Sequence, residues 1–284
     1  MMGRVVVVTD STAGFTVEEV QSLGIEVIPL NVHWGDETYK DGVTLDTLTF
    51  YRWLQERKDF PKTSQPSAGE FMEFFKAVAE RYQTDAILGI FISSELSGTS
   101  SSAALAKQEL PDLHIEVVDS RLAASAAALM VMVAARMAQA GAPLNDILDQ
   151  LRMTQANINV LFAVDTLEYL HRGGRIGGAA RFLGTALSLK PLLEIRNGRV
   201  ESLEKVRLRR KSLERMVEVA KSRLQGKTPV ELIIMHTGID ADVEFFTALV
   251  KDRLKPEAYT HSLITPVIGT HTGPGTIGIA FYTQ

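Results

Sequence analysis

The chain has 284 residues, which at about 150 residues per domain predicts roughly two domains, each large enough to bury a core. Hydrophobic residues make up 45% of the chain and charged residues 23%, the balance of a globular protein and not of a disordered one. The net charge of -4 excludes the overall basic field of a nucleic-acid-binding protein, and with no cysteine there are no disulfides or sulfur-based zinc sites.

The N-terminal segment predicts a strand followed by a helix. The run VVVV from Val5 ends at the polar stretch Thr9–Thr12. Thr16 and Glu19 then have the spacing of a capping box, and Gly24 marks the end of the helix that follows. The apolar run before Thr9 is too short for the core of a signal peptide, which predicts a cytoplasmic protein.

Strands and helices alternate up to about residue 164. The predicted elements are the strand IEVIPLNV, a helix from Ser67, the strand AILGIFI, a helix from Gly98, the strand IEVVD, helices from Leu122 and Pro143, and the strand NVLFAV. This alternation predicts parallel crossovers and a doubly wound sheet, whose ligands bind beyond the carboxyl ends of the strands. Polar clusters lie at three such ends, at Thr9–Thr12, Ser93–Ser102 and Asp119–Ser120. The stretch LAASAAALMVMVAA is shorter than the ~20 residues of a membrane span and predicts a buried helix.

The pattern changes in the second half of the chain. We predict an N-terminal doubly wound α/β domain at 1–160 and a C-terminal mixed α/β domain at 161–284. In the second domain, a helix is expected up to Ser188, and Asn197-Gly198 predicts a tight hairpin turn. ELIIMH, YTHSLI and IGIAFY are predicted strands. No low-complexity linker separates the domains, so we expect them to share a cleft.

Two hydroxyl-rich loops are candidate anion sites. SSELSGTSSSA connects a strand to a helix, so its hydroxyl and backbone N–H groups meet the positive end of a helix dipole. Ser93 or Ser94 can equally be an N-cap, for which serine is strongly preferred. In KTSQPSAGEF, a hydroxyl of Thr63 or Ser64 can face the first loop, whereas Ser67 and Glu70 fit a capping box.

Two basic segments have two interpretations each. KVRLRRK alternates, so Lys205, Arg207 and Arg209 are predicted on one strand face, which is either solvated or places Arg207 against an anion in the cleft. RGGRIGG is either an anion-binding loop or, at Gly173 and Gly174, the C-cap of a helix.

The C-terminal glycines and the enzyme motifs are less informative. Gly273, Gly275 and Gly278 have the spacing of a dinucleotide fingerprint, but an apolar strand follows them and not a helix. His271 is predicted in a tight turn, where it is either structural or part of a site. The sequence contains no G-x-S-x-G elbow and no HExxH motif, so neither a serine hydrolase nor a metal enzyme is predicted.

A series of short motifs runs from the first strand to the last. In chain order, the motifs are VTDST, TSQPS, SSELSGT, RGGRI followed by LKPLL, KVR and GTHTGPG. Together they resemble the DegV family. The resemblance implies two α/β domains that hold one fatty acid, with its carboxylate near the interdomain cleft and its chain in an apolar tunnel. It also implies the fatty-acid-binding subunit of a bacterial fatty acid kinase. A separate ATP-binding subunit would phosphorylate the bound acid to an acyl phosphate for phospholipid synthesis.

The resemblance also implies roles for residues in the matching motifs. Thr63 and Ser94 are expected to donate hydrogen bonds to the carboxylate, with Ser93 close by and His271 in the same network. Arg207 is expected near the head group, for exchange or for presentation to the kinase. No catalytic residue, metal or cofactor is expected besides a long-chain fatty acid such as palmitate, and a transient membrane contact is compatible with this role. Two alternatives stay open, an orphan lipid-binding or regulatory protein without a kinase and a serine-dependent acyl-transfer enzyme.

Overall fold

Residues 4–184, 189–238 and 240–283 are described by a computed structural model and form three β-sheets. The strands are β1 (Val6–Asp10), β2 (Glu26–Ile28), β3 (Asn31–Trp34), β4 (Glu37–Lys40), β5 (Lys62–Ser64), β6 (Ala86–Phe91), β7 (His114–Asp119), β8 (Ile158–Ala163), β9 (Leu192–Arg196), β10 (Arg199–Glu204), β11 (Glu231–His236), β12 (Thr260–Leu263) and β13 (Ile277–Tyr282). The helices are α1 (Val17–Leu23), α2 (Thr47–Glu56), α3 (Ala68–Tyr82), α4 (Thr99–Gln108), α5 (Ser125–Gln139), α6 (Leu144–Asn157), α7 (Glu168–Arg172), α8 (Arg209–Leu224), α9 (Ala241–Leu254) and α10 (Pro266–Thr272).

The first sheet is fully parallel, with four strands in the order β2-β1-β6-β7. All residues of β1 are buried, because α3 and α4 cover one face of the sheet and α1, α5 and α6 cover the other. A strand buried on both faces has a continuous apolar sequence, which VVVV provides. The predicted doubly wound sheet is confirmed, and the polar ends of β1, β6 and β7 lie at one edge.

The predicted capping boxes are confirmed. Thr16 Oγ1 accepts a hydrogen bond from the Glu19 N–H at 3.2 Å, and the Glu19 carboxylate accepts one from the Thr16 N–H at 2.8 Å. Ser67 and Glu70 form the same arrangement at the start of α3. Gly24, with a φ of 61°, ends α1 as expected.

The segment IEVIPLNV, predicted as one strand, forms two strands in different sheets. β2 pairs with β1, whereas β3 lies in a separate antiparallel sheet of order β4-β3-β5. Pro29 lies between them and has no N–H to donate to a ladder. In β3 the buried residues Val32 and Trp34 alternate with partly exposed ones, which is typical of a sheet with one solvated face. This small sheet places Thr63 opposite Val32.

The third sheet is mixed, with six strands in the order β10-β9-β8-β13-β11-β12. Its pairs are antiparallel except β11 with β12. Asn197 and Gly198 have φ angles of 52° and 84° at the tip of the β9–β10 hairpin, as a tight hairpin turn requires. The predicted mixed sheet and hairpin are confirmed. The helix expected up to Ser188 is described only as a 3-10 helix at Gly177–Phe182, and residues 185–188 lie outside the described residues.

The prediction for KVRLRRK is wrong. β10 ends at Glu204 and α8 begins at Arg209, so Lys205, Arg207 and Arg209 do not share a strand face. The buried residues that follow, among them Leu213 and Met216, have helical spacing. This helical period extends back to Arg209 and overrides the short alternation before it.

α5 lies between the parallel and the mixed sheet and contacts strands of both. Ten of its residues are buried, which confirms the predicted buried helix. Among the described residues, no helix combines the length and the hydropathy needed to cross a membrane. The domain boundary after residue 160 stays a prediction; that position lies inside β8.

Candidate functional site

A cavity lies against the mixed sheet, and its wall is completed by α10, by β5 and by residues that follow β2, β6 and β7 of the parallel sheet. Its empty volume, counting the part open to solvent, is ≈ 860 Å³. Most of its wall is apolar. The apolar residues include Val160, Phe162, Met235, Ile264, Val267 and Ile268. Such a wall favours a hydrocarbon ligand over a polar one.

Thr63 on β5 and His271 on α10 contact each other at the cavity wall, with Thr63 Oγ1 2.8 Å from His271 Nε2. His271 lies in the last turn of α10 and not in a tight turn as predicted. The helix forms because Pro266 at its first position has the φ of a helix and needs no donor there. The register of β5 and the position of His271 near the end of α10 bring these two side chains together although 208 positions separate them in sequence.

The protonation of His271 determines what Thr63 can donate. Burial, together with the smaller effect of the nearby Arg175 guanidinium, lowers the pKa of His271 from 6.5 to about 4, so the ring is neutral at pH 7. Nδ1 is buried and has no hydrogen-bond partner among the described residues, so a proton there would be an unsatisfied buried donor. We therefore assign the proton to Nε2, which donates to Thr63 Oγ1. The Thr63 hydroxyl proton is then free for a ligand in the cavity.

Arg175 is the one charged side chain on the cavity wall within residues 4–184, 189–238 and 240–283. Its Nε donates to the Leu96 carbonyl at 3.0 Å and its Nη1 to the Gly173 carbonyl at 2.7 Å. A guanidinium has five N–H groups, so others remain for a ligand. The predicted C-cap is confirmed, because α7 ends at Arg172 and Gly173 caps it. A cation that has no ion pair with any described residue favours an anionic ligand in this mostly apolar cavity.

Ser97 and Gln65 also belong to the polar part of the cavity wall, together with Ser64, Thr272 and Thr276. Ser97 Oγ lies 2.8 Å from Thr99 Oγ1 at the start of α4. The Gln65 amide packs closely over Gly98, where a Cβ atom would lie 2.9 Å from Gln65 Nε2. Gly98 therefore allows the two hydroxyl-rich loops to approach each other.

Ser93 and Ser94 point away from the cavity. Ser93 is fully buried, and its Oγ donates to the Gly198 carbonyl at 2.8 Å, at the tip of the β9–β10 hairpin. Ser94 Oγ donates to Asp119 Oδ2 at 2.5 Å. Neither lines the cavity, and neither caps α4, which follows Gly98. Both serines hold the loop after β6 against its neighbours.

Arg207 lies in the connection between β10 and α8 and is exposed. It does not line the cavity, and its guanidinium has no hydrogen bond or ion pair with any residue that the structure describes. The structure therefore brings together Thr63 and His271 of the predicted set, but not Ser93, Ser94 or Arg207. Within the described part of the chain, no cluster of three histidine or acidic side chains could hold a metal ion.

Residues 4–284 match a family described as uncharacterised proteins of the DegV family. A DegV domain-containing protein of Streptomyces coelicolor is 36% identical over 280 residues, which are 98% of each chain. The chain belongs to the DegV family. The predicted resemblance is thus confirmed.

Solved structures of the DegV family have the same fold. A DegV family protein from Thermus thermophilus, described by its fatty acid binding, superimposes with a TM-score of 0.92 at 34% identity and covers 99% of this chain and 100% of its own. DegV of Bacillus subtilis, described as a fatty acid binding protein, gives a TM-score of 0.90 at 30% identity, with coverage of 99% and 100%. The predicted α/β fold is confirmed.

Two cavity residues of this DegV protein, Ser97 and Arg175, are missing from the predicted site. Ser97 lies in the same SSELSGT motif as Ser94, and Arg175 ends the run RGGR. Sequence spacing pointed to both segments, but only the turn at Gly174, with a φ of 71°, and the loop before Gly98 determine which side chains face inward.

Proposed function

We propose that this protein binds one long-chain fatty acid, with the hydrocarbon chain in the apolar part of the cavity and the carboxylate at its polar part. One observation carries the proposal: among the described residues, the cavity wall is mostly apolar and contains a single cation, Arg175, and no carboxylate. A fatty acid has the matching composition, with one anionic group at the end of an apolar chain. The fatty acid binding of the relatives from Thermus thermophilus and Bacillus subtilis supports it.

The energetics of such a complex are favourable. Burying about 14 methylene groups at ~0.8 kcal/mol each contributes ~11 kcal/mol, from which the cost of association is subtracted. A buried carboxylate without partners would cost several kcal/mol, so donors at one end of the cavity are required. Arg175 can supply charge, and Thr63 can donate its hydroxyl proton because His271 holds the oxygen from the other side.

We assign the predicted site residues as follows. Thr63 donates directly to the carboxylate, and His271 positions it. Ser97, which lines the cavity, takes the direct role that the resemblance implied for Ser94. Ser93 and Ser94 act indirectly, by holding the loop that carries Ser97.

The same carboxylate would be the substrate of a separate ATP-binding kinase subunit that forms the acyl phosphate. This protein would then be a substrate carrier without catalytic residues of its own. Arg207 is exposed and unpaired with any described residue, so its guanidinium can meet a phosphate or an acidic group of the second subunit. We assign it to presentation of the head group and not to lipid affinity.

The test has two steps. Denaturing extraction of the purified protein, followed by mass spectrometry, should release one fatty acid per chain; a protein that takes up no fatty acid during purification or titration contradicts the proposal. The loaded protein is then incubated with ATP, with and without the ATP-binding subunit of the same organism. Acyl phosphate should form only with both proteins, and acyl transfer by the carrier alone would favour the serine-dependent enzyme.

Arg207 is tested in the same assay. Arg207→Ala should retain lipid, but acyl phosphate should form more slowly. The control is Arg152→Ala, which removes an exposed arginine elsewhere, on α6, and should match the wild type. Wild-type turnover by Arg207→Ala would show that Arg207 is a solvated surface residue.

A further inference from the structure

Gly173 and Gly174 follow α7 and have different backbone conformations. Gly174 has a φ of 71°, in the left-handed region that favours glycine. Gly173, which caps the helix, has a φ of -75° and a ψ of -8°, the conformation of a right-handed helix. Alanine is favoured over glycine in this conformation, because glycine loses more backbone freedom on folding. The backbone conformation of Gly173 therefore gives no reason for a glycine at this position.

The reason lies in the close approach of α10. A Cβ atom on Gly173 would lie 2.1 Å from His271 Nδ1 and 3.0 Å from His271 Cε1. Non-bonded heavy atoms attract each other best at about 3.5–4.0 Å, and at 2.1 Å they overlap. The imidazole ring of His271 thus occupies the space where any side chain at this position would begin.

A reciprocal contact joins the same two helices. Gly273 caps α10, and a Cβ atom on it would lie 2.3 Å from Cδ2 of Tyr169, which belongs to α7. Each helix therefore presents a glycine at its C-terminal end to an aromatic ring of the other helix. Two such contacts determine both the spacing of α7 and α10 and the rotation of one helix relative to the other.

Gly173 also lies between two residues of the polar part of the cavity, here called the head-group site. Its carbonyl oxygen accepts a hydrogen bond from Arg175 Nη1 at 2.7 Å, and its α-carbon faces His271. Nδ1 of His271 is therefore covered by an apolar CH2 group and has no hydrogen-bond partner among the described residues. A proton on Nδ1 would have no acceptor, so the proton stays on Nε2, which lies 2.8 Å from Thr63 Oγ1.

We propose that Gly173 is a positioning residue of the head-group site. Because it lacks a side chain, it holds the His271 ring in place with the ring proton on Nε2, and it thereby leaves the Thr63 hydroxyl proton free for the fatty-acid carboxylate. This inference rests on the proposed function, which supplies the carboxylate. Gly173 does not line the cavity, so it acts through His271 and through its hydrogen bond with Arg175.

Gly173→Ala tests the proposal, and two other glycines that do not line the cavity provide matched controls. A Cβ atom on Gly69, in α3, would meet Ser67 Oγ at 3.8 Å, so Gly69→Ala adds the same methyl group where there is room. Gly141 has a φ of 80°, and beyond its chain neighbours no atom lies within 4 Å of a Cβ, so Gly141→Ala strains the backbone without a clash. Displacement titrations measure the affinity of each protein for palmitate and for the uncharged hexadecanol.

Gly173→Ala should weaken palmitate binding by about tenfold or more, because the displaced ring disturbs the hydrogen bond that Thr63 donates to a charged group. Hexadecanol binding should weaken by only about threefold, since a hydrogen bond to a neutral group contributes about half as much free energy. Both controls should keep the wild-type ratio of the two affinities. A wild-type ratio in folded Gly173→Ala overturns the proposal, as does an equal change of the ratio in Gly141→Ala.

Nitrogen NMR of the imidazole rings gives a readout that a purely structural glycine would not change. The shifts of the two ring nitrogens differ when one tautomer dominates, and His271→Asn identifies the signals of His271 among the six histidines. The wild type should carry the proton on Nε2, whereas Gly173→Ala should show a mixture of tautomers at pH 7. An unchanged tautomer in Gly173→Ala contradicts the proposal. The spectra need no added ligand, so this result stands even if the protein takes up no fatty acid, an outcome that contradicts the proposed function only.

A double variant keeps the proposal testable if Gly173→Ala does not fold. Gly173→Ala with His271→Ala removes the ring that the new methyl group would meet, and of the three nearest atoms it leaves the Tyr169 carbonyl oxygen at 3.1 Å. Urea denaturation of the wild type, the two single variants and the double variant gives a double-mutant cycle. The double variant should lose less stability than the sum of the single variants, or should fold where Gly173→Ala does not. Additive losses, or a double variant that does not fold, would show that something other than His271 excludes the methyl group, and would overturn the proposal.

Discussion

The cavity and a groove open to solvent, which lies between the starts of α1 and α2 and the ends of β11 and β12, are both lined by apolar side chains, but they differ in charge. The described cavity wall has Arg175 and no carboxylate, whereas the described wall of the groove has Glu19, Asp41 and Asp46 and no lysine or arginine. Apolar area favours binding at both surfaces, since the hydrophobic effect is non-directional. The charges distinguish them, because the cation of the cavity favours an anionic ligand and the described wall of the groove has no cation to pair with one.

The largest expected effect is that of removing the cavity's cation. Arg175→Met keeps the apolar stem and should weaken palmitate binding by about 100-fold or more, because breaking a buried ion pair costs roughly 3–5 kcal/mol. Binding of the uncharged hexadecanol should change little. Displacement titrations with both ligands measure the difference.

Arg172→Met is the matched control, since Arg172 is exposed, pairs with Glu168 and lies three positions away. It should leave both affinities unchanged. An equal loss of acid and alcohol binding in Arg175→Met would mean that Arg175 only supports the Leu96 and Gly173 carbonyls.

The second prediction concerns the neutral state of His271. Its pKa in the folded protein, about 4, lies below the 6.5 of the unfolded chain, so unfolding takes up a proton between these values. The contribution of neutral His271 to the free energy of unfolding is therefore complete above pH 6.5. It decreases by up to about 3 kcal/mol as the pH falls towards 4. His271→Asn lacks this group, so its free energy of unfolding should fall less over that window.

Urea denaturation of both proteins at pH 7, 5.5 and 4 measures the difference. Burial raises the pKa of Asp41 to about 6, which acts in the opposite direction because protonation of Asp41 stabilises the fold as the pH falls through 6. Asp41 is present in both proteins, so its contribution cancels. Parallel pH profiles would show that His271 is not held neutral by burial.

The third prediction distinguishes the hydroxyl of Thr63, which lines the cavity, from that of Ser94, which does not. Thr63→Val keeps the shape of the side chain and should weaken palmitate binding by about 10- to 100-fold, as a hydrogen bond to a charged group contributes about 1.5–3 kcal/mol. Ser94→Ala should stay within about twofold, because its hydroxyl is bonded to Asp119 outside the cavity. Equal losses in the two variants would restore Ser94 as a direct donor.

Much of the fold follows from sequence because its signals are local. The capping boxes at Thr16 and Ser67, the buried run from Val5 and the Asn197-Gly198 turn each depend on neighbours within a few positions. The failures are also local in origin. Pro29 separates two strands in an apolar run that looks continuous in sequence. The short strand-like alternation before Arg209 gives way to the helical period of α8.

The site is less accessible to sequence because its contacts are long-range. The motifs identify the right loops, but Ser94 and Ser97 belong to one motif and point to different surroundings. The contact of Thr63 with His271 depends on the pairing of β5 with β3 and on the length of α10. The spacing of residues along the sequence reveals neither the strand pairing nor the helix length.

The smallest expected effect comes from neutralising Asp46 in the groove wall. Asp46 caps α2 by accepting the Thr49 N–H at 3.0 Å, and asparagine caps helices equally well, so Asp46→Asn should change the free energy of unfolding by no more than about 0.5 kcal/mol. Lipid occupancy should not change, in contrast to Arg175→Met. Asp149→Asn, on the exposed face of α6, is the control for a lost surface charge, and urea denaturation of both variants measures the difference. A clearly larger loss of stability in Asp46→Asn than in Asp149→Asn would show that the negative charge at the start of α2, and not the capping hydrogen bond alone, stabilises the helix.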